Sequence, residues 1–201
     1  MQTSVIDRTT AAFAMAAGVV AIAADVAFSV FSAVGEPWGS INDVGNGAFA
    51  VLAGWVAWSF RGRTGIPAAA TALAGAAIAV GGSWLVLSGS SGWLLAGFVS
   101  SVGFGLIGPS MYLAARSLAA EGVISRGLGR LGLAAGAITI VGLTGIVPAV
   151  MRLDNDATAP GWVWVAFVGW VGTFVVYPVW SIVIGRRALQ VPVQSPAASR
   201  A

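Results

Sequence analysis

The chain has no cysteine, no histidine and no lysine, and charged residues fill only 8% of its 201 positions. Each absence removes a class of chemistry. Without Cys or His, the nitrogen and sulfur ligands that hold zinc, copper, haem and iron–sulfur clusters are missing, and only oxygen-ligated hard cations could be bound. Disulfides are excluded. Lacking His and Lys, the chain cannot build a Ser-His-Asp or Cys-His nucleophile, a Schiff-base lysine or a P-loop. Catalysis would have to rest on carboxylates, hydroxyls, amides and arginine, so no cofactor and no metal site is expected.

Hydrophobic residues make up 58% of the sequence, with 28 glycines, and the mean hydropathy is +0.90. An ordinary soluble domain carries about 25% charged residues, so polar surface is too scarce to cover a water-soluble globule. Disordered, collagenous and nucleic-acid-binding classes fail on the same composition. The expected solvent is a lipid bilayer.

Six apolar stretches run over about 10–34, 43–60, 66–88, 92–115, 130–151 and 161–185. Each approaches the roughly 20 residues that cross about 30 Å of hydrocarbon as a helix, and barrel strands would be half as long and alternating. The expected fold is therefore an all-α integral membrane protein. It is read as a six-helix transmembrane bundle over residues 1–190, followed by a short disordered tail at 191–201. A cleaved signal peptide is the rival reading of the first stretch, but the apolar run continues past Asp25 to full spanning length. No internal repeat supports an inverted-repeat transporter.

All ten basic residues are arginines. With six alternating helices, Arg8, Arg61, Arg63, Arg116, Arg126, Arg130, Arg186, Arg187 and Arg200 fall on one side. Arg152 falls on the other, with Glu36, Asp43, Asp154 and Asp156. The positive-inside rule then places both termini in the cytoplasm of a cell with the chain in its plasma membrane.

Most of the nine tryptophans read as an interfacial belt: Trp38, Trp93, Trp162 and Trp164 at the outer boundary, Trp55, Trp58 and Trp180 at the inner one. Trp84 and Trp170 lie deeper and are candidates to line a cavity. Small residues recur at helical spacing as Ala68, Ala72, Gly75, Ala79 and Gly82; as Gly97, Ser101, Gly105 and Gly108; and as Gly132 and Gly136. These stripes predict close helix packing within the bundle, with a homo-oligomer interface as the alternative.

Asp25 is a carboxyl at membrane depth, where a charge needs a partner, a proton or water. Asp25, Ser29, Ser32 and Glu36 follow one helical stripe toward the outer surface. After a short turn, Asn42, Asp43 and Asn46 open the next helix, and antiparallel neighbours should bring the two sets together. The expectation is an outward-facing polar, acidic pocket formed by Asp25, Ser29, Asn42, Asp43 and Asn46, bordered by Trp84 and Trp170. It would bind or transport a small solute, a cation or a proton. Pro109 in the fourth helix and Pro178 in the sixth are expected helix kinks toward the cytoplasmic end. Two other readings compete with it: a membrane enzyme using carboxylate acid/base chemistry on a lipid or isoprenoid, and a structural bundle in which Asp25 only fixes packing. The string Pro37-Trp38-Gly39-Ser40-Ile41-Asn42-Asp43 also reads as a tight turn closed by an Asx cap from Asn42 or Asp43.

Overall fold

Apolar runs bounded by Gly, Pro and Ser fold as helices because lipid offers no partner for an open backbone amide. A computed structural model describes residues 6–190. Among these residues there is no strand. The helices are α1 (Arg8–Val34), α2 (Trp38–Ser59), α3 (Arg61–Thr64), α4 (Ile66–Leu87), α5 (Trp93–Ala120), α6 (Arg126–Ile140), α7 (Ile146–Val150), α8 (Val168–Trp170) and α9 (Tyr177–Gln190). A 3₁₀ turn at Val141–Gly145 joins α6 to α7 as one rod. A last rod runs from Gly161 through a 3₁₀ segment, α8, a π-helical segment at Val171–Val176 and α9. The expected tail at 191–201 lies outside the described residues.

Five helical segments are long and apolar enough to cross a membrane: Arg8–Val34, Ile66–Leu87, Trp93–Ala120, Arg126–Val150 and Gly161–Gln190. The protein is thus compatible with a multi-pass membrane protein in contact with lipid. The second expected span, α2, is also 22 residues long, but Asn42, Asp43 and Asn46 near its start keep it out of this set. It begins at Trp38, five residues before the expected position, and its cap also differs from the expected one. Glu36 accepts hydrogen bonds from the Ser40 amide (3.2 Å) and hydroxyl (3.1 Å), so Asn42 and Asp43 sit inside the helix rather than capping it.

Glycine contacts fix how the rods pack. Gly45 lies on Ala24, Gly54 on Ala76, Gly82 on Ala96 and Ser100, Gly108 on Gly136, Gly172 on Thr139, and Gly18 on Pro178 and Ser181. In every seam the residue numbers rise on one helix as they fall on the other, as with Gly75–Gly103 and Gly82–Ala96. Six rods therefore alternate in direction around a ring that α1 and α9 close. The three small-residue stripes supply these seams: Gly75, Ala79 and Gly82 against α5, Gly105 and Gly108 against the α6–α7 rod, and Gly132 beneath Trp180. Inside the ring, the Phe49 ring centroid lies 5.3 Å from that of Phe104, 5.8 Å from Phe174 and 5.5 Å from Tyr177.

Trp180 departs from its expected place in the inner belt. It is 1% exposed, because the missing side chain of Gly132 leaves room for the indole against Ala115. Trp38, Trp55, Trp93, Trp162 and Trp164 are exposed, as an interfacial position requires. Pro109 lies within α5, which continues as α-helix on both sides of it. Pro178 lies just after the π-helical segment: it has no amide to give Phe174, and its ring crowds that carbonyl, so the preceding turn widens.

A Cβ on Gly103 would land on the backbone of Gly75 and Ala79, whereas one on Gly81 would meet nothing. Gly103→Ala should destabilise the protein by about 1–3 kcal/mol. Gly81→Ala should leave stability unchanged or raise it by roughly 0.5–1 kcal/mol, both read from unfolding in detergent. At the start of α1, Asp7 accepts from the Thr10 hydroxyl (2.6 Å) and amide (2.8 Å), which holds its carboxyl below the usual range. A depressed carboxyl stabilises the fold above its unfolded-state titration and stops doing so as pH falls through the folded one. Asp7→Ala should therefore lose about 1 kcal/mol at neutral pH, and the difference from wild type should fade below about pH 3.9.

Candidate functional site

Where α2, α4, α5 and the last rod separate at the arginine-poor end, they leave a cleft of about 60 Å³. A volume of that size holds a few waters or one very small solute. Its polar wall consists of Asn42, Asp43 and Asn46 from α2, Ser83 from α4 and Ser100 from α5. Its apolar wall is aromatic: Phe28, Trp93, Phe104, Trp170 and Phe174. No lining residue is basic.

The α2 side chains are linked in series. The Asn46 amide donates to the Asn42 carbonyl oxygen (3.3 Å), and the Asn42 amide donates to an Asp43 carboxylate oxygen (3.4 Å). The one-turn spacing of Asn42 and Asn46 makes the first link; adjacency makes the second. This relay leaves Asn46 Oδ1 buried without a hydrogen-bond partner among the described residues. An unpaired buried acceptor costs about 1–3 kcal/mol, so the cleft offers an oxygen that water or a donor-bearing solute would satisfy.

The aromatic wall is held in place. Trp170 donates from Nε1 to the Ser101 hydroxyl (2.8 Å), which in turn donates to the Gly97 carbonyl (2.7 Å). Phe167 meets the Trp170 ring edge to face at 4.5 Å, and the Trp93 and Trp164 centroids lie 6.3 Å apart at the mouth. Beside Trp93, Asp154 reaches from the loop after α7 to the start of α5. Its carboxylate accepts from the Gly92 amide (2.6 Å) and the Leu95 amide (3.1 Å). Gly92 has no side chain to cap its own helix, and a Cβ there would press on the Asp154 carboxylate. Sequence reading placed Asp154 only as an outer charge; its role as a cap depends on a contact across 62 residues.

The structure brings Asn42, Asp43, Asn46 and Trp170 together and leaves out the other sequence candidates. Asp25 lines a shallow depression formed by α1 alone, with Ile22, Val26, Phe28, Ser29, Val30 and Ala33, which meets the cleft only at Phe28. Helix geometry explains the separation. Ala24 packs on Gly45 of α2, while Asp25 is rotated about 100° from it, onto the same side as Gly18, which packs on α9. The Asp25 carboxyl has no hydrogen-bond or ion-pair partner among the described residues. Ser29 and Ser32 turn their hydroxyls back to the Asp25 and Phe28 carbonyls. Trp84 is 66% exposed and borders no part of the cleft. Ser83 and Ser100 complete the polar wall; helical spacing shows their faces but not the neighbour each face meets.

Replacing Asp154 with Ala should remove the cap on α5 and lower stability by about 1 kcal/mol. Asp154→Asn, which keeps one acceptor oxygen, should lose less; equal stability of wild type and Asp154→Ala in thermal unfolding would contradict the capping role. No protein-family model, curated protein or solved structure matches this chain.

Proposed function

We propose that the protein crosses the plasma membrane six times with both termini in the cytoplasm, and that the outward-facing cleft binds a small monovalent cation of the ammonium type. The arginines support this orientation. Arg8, Arg61, Arg63, Arg116, Arg126, Arg130, Arg186 and Arg187 lie toward the end where α1 starts, and the cleft lies toward the other end. Support for α2 as a crossing helix comes from its position between α1 and α4 and its 22 residues, about 33 Å at 1.5 Å per residue. Its polar first turns then face the cleft rather than lipid.

The observation that carries the ligand reading is one carboxylate, Asp43, among amide and hydroxyl oxygens and aromatic faces, with no basic side chain in the lining. A carboxylate supplies charge, Asn46 Oδ1 an unused acceptor, and indole and phenyl faces attract cations through their quadrupoles. Enzyme chemistry on a lipid would call for an acid and a base at one place. Asp25 and Asp43 line different depressions, which weighs against that alternative.

Methylammonium is the test ligand. It should raise the thermal stability of the detergent-solubilised protein in a saturable way, and Asp43→Asn should weaken binding at least tenfold, roughly 1.4 kcal/mol. Asp25→Asn should leave the affinity unchanged. Equal affinity of wild type and Asp43→Asn would sink the cleft as the cation site. A bundle with no small ligand would show no shift at all.

A further inference from the structure

Three side chains deep in the bundle carry polar atoms that nothing among the described residues satisfies: Ser110 Oγ, Tyr177 Oη and Trp180 Nε1. All three residues are at most 1% exposed. Left dry, each would cost about 1–3 kcal/mol. Tyr177 and Trp180 are neighbours, with ring centroids 6.0 Å apart, while Ser110 lies one heptad past Gly103 on the face of α5 that meets α4.

Their depth relative to the cleft is equally defined. Phe104 and Phe174 line the cleft and touch each other at 5.4 Å between centroids, and both touch Phe49. On α5, Ser110 follows Phe104 by six residues, about 9 Å toward the arginine-rich end. On the last rod, Tyr177 and Trp180 follow Phe174 by three and six residues and precede Arg186. The order from the outside inward is therefore polar cleft, phenylalanine layer, buried polar set, arginines.

Both rods that carry the cleft-facing phenylalanines are weakened at that point. Pro178 cannot give an amide to the Phe174 carbonyl, four residues back, and the π-helical segment Val171–Val176 includes Phe174. Pro109 likewise has no amide for the Gly105 carbonyl, next to Phe104. Phe104 and Phe174 therefore sit beside carbonyls that lack the usual amide donor four residues on, where a helix bends most readily.

We infer that the cleft and the Tyr177–Trp180 pair are the two halves of one cation route through the bundle, closed by the Phe49, Phe104 and Phe174 layer. This rests on the cleft binding a cation, as proposed above. Water occupies the inner half, accepting from Trp180 Nε1 and exchanging a hydrogen bond with the Tyr177 hydroxyl, and the cation crosses when the phenylalanine layer parts.

The full chain in liposomes of phosphatidylethanolamine and phosphatidylglycerol, with radiolabelled methylammonium and an inside-negative potential, tests the route. Wild type should take up methylammonium above protein-free liposomes, Asp43→Asn should reduce this at least tenfold, and Phe104→Ala should raise the passive rate at least tenfold. Phe104→Leu and Phe174→Leu, which keep most of the packing, should raise it less and cover the case in which the alanine variant does not fold. Radiolytic hydroxyl labelling is the independent readout: Tyr177 and Trp180, although buried, should be labelled by adjacent water. Methylammonium binding without uptake by wild type or any phenylalanine variant would overturn the route while leaving the cleft reading intact. Loss of the methylammonium stability shift itself would overturn both, and unlabelled Tyr177 and Trp180 would overturn the hydrated inner half.

Discussion

Close approach of backbones at glycine and alanine seams is the constraint on which the rest of this structure depends. Lipid is as apolar as a leucine side chain, so helices in it are held by dispersion contacts and not by escape from water. Those contacts are strong only where Cα atoms come near each other, as at Gly75 on Gly103, Gly108 on Gly136 and Gly142 on Gly169. Once small residues occupy the seams, bulky ones must go either to the axis of the ring or to its outside. Phe49, Phe104, Phe174, Tyr177 and Trp180 take the axis; Trp55 and Trp84 take the outside.

The same packing decides where polarity survives. In the tight seams serine and threonine hydroxyls bond to nearby oxygens, as Ser101 does to Gly97 and Thr173 to Gly169. Polar groups without such partners lie in the cleft where the rods part and, buried below it, at Tyr177 and Trp180. Asn46 belongs to both descriptions: its amide is spent within α2, and its oxygen is left over.

The all-helical class, the apolar spans and the packing stripes are legible in the sequence because lipid imposes length and the backbone imposes small residues. The Asn42, Asp43 and Asn46 face is legible too, since one helical turn sets it. Asp25 shows the limit. Its neighbour helix can be named from a short turn, yet the side of α1 it occupies follows from Ala24 meeting Gly45, which no local pattern encodes. Trp180 and Trp84 exchange their expected positions for the same reason: depth along a helix can be counted, but rotation about its axis is set by the partner. The Asp154 cap and the Trp170 bond to Ser101 join residues more than sixty positions apart and leave no trace in local spacing.

The closure of α1 on α9 gives the ring a property that an open row of helices lacks. Every rod has two neighbours, each consecutive pair is joined by a loop, and the one unjoined pair is packed as closely as the others, with Gly18 on Ser181 and Gly185 on Ala11 and Met15. The arrangement therefore has no privileged first member. A chain cut at the Ser88–Ser91 turn and joined between the ends of α9 and α1 would keep every seam, the phenylalanine layer and the Asp43 relay. Circular order, and not the order of synthesis, is what this bundle conserves physically.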